Sequence, residues 1–266
     1  MGRTKTIQDY EAEIRDLHGK YTKSKDPVIK KTIDNRLKPW ARLVEVTVYV
    51  ANNEQRPLTS AEIGYPTLPM LTKKDYEKRY GKGKGVEQVA DYQAFLQFGS
   101  GGEWSTTLVE RKGGKKGCED FYGTLMNAEG RDRFYREIGR YRADQRFKRM
   151  IVLVECSFPE FMNFIPPFCG KSRNVDHVGA CAESRYGTVA SLFVQDVPVL
   201  WAGTRLAAGK LYHKLIQQDI IKNYEYYLGL DKKEEAKLIG EDRGTLTFEV
   251  SGMRFQVEKS AVKVIV

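Results

Sequence analysis

The sequence predicts an α/β fold, with a helical extension at its start and a small β-rich appendage at its end. Three observations carry this. Residues 104–227 alternate apolar strand-like runs with helix-length amphipathic stretches, the pattern of an α/β core. Residues 1–42 carry apolar residues at helical spacing only. Residues 229–266 break into short alternating strands. The expected boundaries are therefore an extension over 1–42, a core over 43–228 and an appendage over 229–266.

In the extension, Ile7, Tyr10, Ile14, Leu17 and Tyr21 predict an amphipathic helix over 7–22. Asp26-Pro27 opens a second, striped by Ile29, Ile33 and Leu37 and expected to end at Pro39. Leu43 to Val50 is a strand by composition, followed by a polar turn and a long irregular stretch rich in lysine, including Lys82 and Lys84. Tyr92–Phe98 and Glu103–Val109 bracket Gly99-Ser100-Gly101-Gly102 and read as a hairpin. A basic glycine-rich loop with Lys115 and Lys116 leads to helices expected over 119–128 and 130–147. The second helix carries six arginines, Arg133 and Arg136 among them. Met150–Cys156 is apolar but for Glu155, as in a strand buried on both faces. Val197–Trp201 is a further strand, and Thr204–Tyr227 reads as one long helix. In the tail, Thr245–Val250, Met253–Glu258 and Val262–Val266 alternate as strands, with Ser251-Gly252 as a tight turn.

The chain has 266 residues, 41% of them hydrophobic and 11% aromatic, enough for one large cored domain. A net charge of +9 points to a polyanionic partner, nucleic acid ahead of membrane. No run approaches the ~18 apolar residues of a membrane span, and no apolar leader follows Met1. Cys118, Cys156, Cys169 and Cys181 lack paired spacing and read as separate reduced thiols of an intracellular protein. Cys169, His177 and Cys181 lack a fourth ligand for zinc and are expected to be incidental. Ile165 stands where a phosphate loop ending at Gly170-Lys171-Ser172 needs glycine, so no nucleotide cofactor is expected.

The chemistry gathers at Val109-Glu110-Arg111-Lys112. Residues two apart on a strand share a face, so Glu110 and Lys112 point one way and Arg111 the other. Asp91 stands nineteen residues earlier. Two carboxylates can hold a hard divalent cation through oxygen, and a lysine beside them can orient water or steady charge on a phosphate. That is the residue set of a metal-dependent phosphodiesterase.

These motifs resemble a known family. Val48-Tyr49-Val50-Ala51-Asn52-Asn53-Glu54-Gln55-Arg56-Pro57-Leu58 resembles the V-x-V-D-T-R-E-Q-x-P-L opening of XPF-type nuclease domains. Ala90-Asp91-Tyr92 is similar to their G-D-Y, and Val109-Glu110-Arg111-Lys112 to their V-E-R-K. Asp120-Phe121-Tyr122-Gly123-Thr124-Leu125, Arg133-Phe134-Tyr135-Arg136-Glu137, and the stretch from Ser191 to Arg205 follow in the same order. The resemblance covers roughly residues 43–220 and is nearest the single-domain versions of phages and mobile elements. It implies a restriction-endonuclease-like α/β/α sandwich of the PD-(D/E)xK kind and Mg²⁺- or Mn²⁺-dependent DNA cleavage, as in repair or recombination. It assigns Asp91 and Glu110 as metal ligands, Glu54 as an acidic residue at the metal, and Lys112 as the catalytic lysine. Arg111 and Asp120 fall on the remaining signature positions.

The departures are Ala51 in place of an aspartate, Ala90 in place of a glycine, and a longer gap from Lys112 to Asp120. The paired helix-hairpin-helix modules of larger relatives are absent, so their branched-DNA preference does not carry over. The expected company is DNA, held by Lys82, Lys84, Lys115, Lys116, Arg133 and Arg136, with a homodimer or a partner protein. The reading from another class is a cleavage-inactive DNA-binding or scaffolding subunit, and Ala51 is the residue that favours it.

Overall fold

The computed structural model describes residues 4–70, 89–99, 101–113, 117–165, 175–230, 237–242, 245–250 and 253–258. The chain divides into two compact units, Met1–Asn223 and Tyr224–Val266.

The first unit begins with two helices, α1 (Ile7–Ser24) and α2 (Pro27–Leu43). Thr6 caps α1 in a reciprocal box with Asp9, and Asp26 caps α2 ahead of Pro27. α2 does not stop at Pro39. A proline inside a helix costs about 3 kcal/mol, yet Trp40 and Ala41 just beyond it are buried. Trp40 stacks on Phe98 with ring centroids 5.7 Å apart, and that burial carries the helix through. Glu11 ties α1 to the sheet as well, accepting from Gly99 N at 3.0 Å.

The sheet contains β1 (Glu45–Val50), β2 (Thr67–Pro69), β3 (Tyr92–Phe98), β4 (Gly101–Trp104), β5 (Thr107–Lys112), β6 (Arg149–Val154) and β7 (Val199–Trp201). Its order among the described residues is β2-β1-β3-β5-β6-β7, with β4 on β3. β3 is antiparallel to β1 and meets β5 at Tyr92↔Val109, whereas β5, β6 and β7 run parallel. A short helix, α3 (Ser60–Ile63), stands between β1 and β2. Helices α4 (Gly117–Met126), α5 (Ala128–Ala143), α6 (Phe158–Asn163), α7 (Val175–Val194) and α8 (Arg205–Lys222) complete the unit.

Strand alternation assigns the layers. Leu108, Met150, Val152 and Val154 pack with Phe121 and Leu125 of α4, Phe134 and Ile138 of α5, Phe161 of α6 and Leu192 of α7. On the other face Phe98 meets Trp40 of α2, and Tyr92 meets Tyr212 of α8 with centroids 5.6 Å apart. Helices cover both faces, as burial of so apolar a strand as β6 requires. This is an α/β/α arrangement consistent with the expected restriction-endonuclease-like fold, with the helical pair at its start and a β-rich tail.

The second strand of the expected hairpin is two strands. It breaks at Ser105-Thr106, where Asp219 of α8 takes over the polar groups. Asp219 accepts from Ser105 Oγ at 2.8 Å, Thr106 N at 3.1 Å, Thr106 Oγ1 at 2.6 Å and Thr107 Oγ1 at 2.9 Å. The Asn223 amide adds a bond at 2.9 Å and α8 ends at Lys222, short of the expected Tyr227.

The second unit holds α9 (Tyr224–Tyr227) and an antiparallel sheet ordered β10-β9-β8. β9 (Thr245–Val250) and β10 (Met253–Glu258) have the expected bounds, and β8 (Lys237–Asp242) was not foreseen. Residues 262–266 lie outside the described residues. No helix of the described residues is long and apolar enough to cross a membrane.

Candidate active site

β5 and β6 end side by side, Lys112 opposite Val154, and a cleft of about 550 Å³ opens at that end. Glu54, Asp91, Glu110, Arg111, Lys112, Asp120 and Arg133 all line it, together with Glu137. Seven residues singled out in the sequence, from five separate segments, therefore meet in one place.

β5 is buried at every position. Its alternation is the one expected: Glu110 and Lys112 lie on the α4/α5 face with Leu108, and Arg111 lies on the other with Val109. Lys112 Nζ donates to Glu110 Oε1 at 2.7 Å and rests 5.7 Å from the centroid of Phe134. Asp91 precedes β3 and is locked to β5 through the backbone. Its amide donates to Glu110 Oε2 at 3.3 Å, and its own Oδ2 accepts from Arg111 N at 2.9 Å. The Ala51 amide donates to Asp91 O at 2.8 Å, so Ala51 braces the site by its backbone.

Negative charge is under-compensated here. Burial pushes Asp91 well above the ordinary carboxylate range, with Glu110 adding to it and Lys112 opposing. Asp120 and Glu137 are also raised, by loss of water first, with Glu110 contributing to each. Burial pulls Lys112 down, but Glu110 and then Asp91 outweigh it, so the ammonium is held above its ordinary range. It acts as a fixed positive charge rather than as a base. Asp120, at the start of α4, accepts from Gly113 N at 3.3 Å, so the longer gap still returns it to the cleft.

Arg111 and Glu54 form a separate cluster at the lip. Arg111 Nη1 donates to Glu54 Oε1 at 3.0 Å and to Arg56 O at 3.0 Å, and Nε donates to Glu155 Oε1 at 2.8 Å. Arg205 of α8 donates to Arg56 O at 2.8 Å and to Glu62, whose carboxyl that guanidinium holds down at about 2. Glu155 escaped the sequence reading, and Glu137 and Arg205, which close two of the motifs quoted above, were given no site role there. The one available signal was for Glu155, a charge set directly after an apolar strand.

The donors suit a hard cation in part. Asp91 and Glu110 border the cleft where negative charge is in excess, and Mg²⁺ keeps several waters while taking one or two carboxylates. Among the described residues, no three His, Cys, Asp or Glu side chains converge as the ligands of one ion.

Arg136 lines a neighbouring groove that shares Asp120 and Arg133 with the cleft. Lys82, Lys84, Lys115 and Lys116 lie outside the described residues, as do the side chains of Cys169, His177 and Cys181. Cys118 and Cys156, expected as separate thiols, form a disulfide with Cα atoms 5.8 Å apart. It links the start of α4 to the end of β6. Thirty-eight residues separate the two in sequence, which is why spacing did not reveal the pair.

No protein-family model and no curated protein matches the chain. Among solved structures it is similar to XPF from Aeropyrum pernix, at 14% identity and a TM-score of 0.39, over 72% of this chain and 76% of that one.

Proposed function

We propose that the chain is a divalent-metal-dependent DNA endonuclease that hydrolyses phosphodiester bonds. The observation that carries this is the convergence of Asp91, Glu110 and Lys112 in one cleft, the last two on the same face of a buried strand. Asp91 and Glu110 would hold Mg²⁺ or Mn²⁺, with Glu54 acting on the ion through water. Bound there, the ion would polarise the attacking water and stabilise the leaving oxygen. Lys112, held as an ammonium by Glu110, is set to steady charge that develops on the phosphate. Asp120 completes the acidic rim. Arg133 and Arg136 would track the backbone, with Lys82, Lys84, Lys115 and Lys116 adding charge to the same partner. Such contacts position DNA without reading bases, so selection falls on shape or strand state. A homodimer or a partner protein would extend the surface.

A nicking assay on supercoiled plasmid tests the reading. Nicked circles are expected with Mg²⁺ or Mn²⁺ and none with EDTA. Intact plasmid under all three conditions would sink it. Flap, fork, junction, single-stranded and duplex DNA would then identify the substrate. A second reading, a cleavage-inactive DNA-binding or scaffolding subunit, is favoured by Ala51 in place of an aspartate. It predicts retained DNA binding in a gel shift alongside intact plasmid.

A further inference from the structure

We propose that Glu155 is a positioning residue: it sets the plane of the Arg111 guanidinium, and Arg111 in turn holds Glu54 at the lip of the cleft. The proposal rests on the nuclease reading for its catalytic consequence and on geometry alone for its structural one. Glu155 follows β6, and its amide donates to Lys112 O at 2.9 Å, extending the β5–β6 pairing by one bond. Its side chain is 3% exposed, that of Arg111 1%, and that of Glu54 13%. The more deeply buried of the two carboxylates therefore grips the arginine from below, and the outer one receives it.

A guanidinium presents its donors in a fixed planar fork. Once Nε is committed to Glu155 at 2.8 Å, the directions of the Nη donors follow, and Nη1 reaches both Glu54 Oε1 and Arg56 O at 3.0 Å. The lip is thus tied to the end of β6 through one side chain. Gly113 is the independent sign that this pair is closely fitted. A Cβ there would stand 2.5 Å from both Arg111 Nη2 and Glu155 Oε2, a separation that no unstrained contact adopts. The strand ends at a residue small enough to let the pair close over it. Glu155 itself does not line the cleft, so it reaches the site through Arg111.

Hydrogen exchange of the lip backbone and Mn²⁺ binding by the metal-free protein, read from the spin-resonance signal of free Mn²⁺, test this together. Glu155→Ala should speed exchange across residues 53–58. It should also weaken Mn²⁺ binding by about tenfold, the scale on which partners of metal-site residues act. Glu155→Gln keeps the shape and one acceptor, so it should do both to a smaller extent. This variant decides the matter if the alanine variant does not fold. Glu54→Ala combined with Glu155→Ala should bind Mn²⁺ no more weakly than Glu54→Ala alone, because both act along one path. Unchanged lip exchange in the folded glutamine variant, or additive losses in the double variant, would overturn the proposal. If the wild type neither binds Mn²⁺ nor nicks DNA while Glu155→Ala still loosens the lip, the nuclease reading fails and the positioning role stands.

Discussion

β5 is anchored at both ends by buried carboxylates, and the two ends are built on opposite terms. At its start, Asp219 accepts from Ser105, from both Thr106 donors, from Thr107 and from Asn223. Five donors are turned towards it. At its finish, Asp91, Asp120 and Glu137 crowd around Glu110, and all three are pushed to hold their protons. Among the described residues, Lys112 is the cation bonded to Glu110 there. A carboxylate fully met by neutral donors stabilises a fold, whereas carboxylates left short of positive charge are poised for a ligand. The same strand thus carries a structural end and a reactive end, distinguishable by how completely the acids are satisfied.

The sharpest way to break this contrast is to neutralise the reactive acids. Asp91→Asn and Glu110→Gln should each abolish cleavage while DNA binding in a gel shift survives. Asp91→Asn should in addition raise the melting temperature of the metal-free protein at pH 8. The sign follows from its raised folded pKa: protonation of Asp91 favours the fold at low pH, and that contribution is lost as pH rises through the folded value. A melting temperature that falls instead would mean the reactive end is not short of positive charge.

Lys112→Ala comes next, with a loss of about 10²–10⁴-fold in single-turnover rate, the scale of one positioned electrostatic group. A wild-type rate in that variant would remove β5 from the chemistry.

The structural end predicts a different readout. Asp219→Ala strands several buried donors and should destabilise the unit by about 3–5 kcal/mol in denaturant unfolding. A loss below about 1 kcal/mol would mean that the clasp is satisfied by water once the acid is gone.

The smallest effect belongs to neither end. Neutralising Arg133 and Arg136 together should lower the slope of log affinity against log salt by about 2, since each phosphate contact contributes roughly 0.9. An unchanged slope would take α5 off the DNA.

What was legible in the sequence was whatever local pattern encodes. Alternation on β5 gave the shared face of Glu110 and Lys112, and the apolar run at 150–154 marked a strand buried on both faces. The motif order pointed to Glu54 and Asp91 beside Glu110 and Lys112, while the longer gap after Lys112 left the place of Asp120 open until the fold returned it to the cleft. Hidden were the partners that only the tertiary fold selects. Glu155 meets Arg111 from 44 residues away, and Asp219 meets Thr106 from 113, with no periodicity to announce either. Pro39 misled because a local rule about backbone bonds yielded to the burial of Trp40. The break at Ser105-Thr106 misled for the same reason, since a distant acid overrode strand propensity.

The clasp of Asp219 also has a consequence in time. Contacts between residues this far apart in sequence close late, because a long loop must lose its freedom before any bond rewards it. Pairing of β3 with β4 and of α1 with α2 is local and can precede it. During synthesis, the strand bearing Glu110 and Lys112 is therefore complete long before its starting end can be pinned. A ribosome that stops before residue 219 releases a chain whose reactive residues are all present but whose central strand has no fixed beginning.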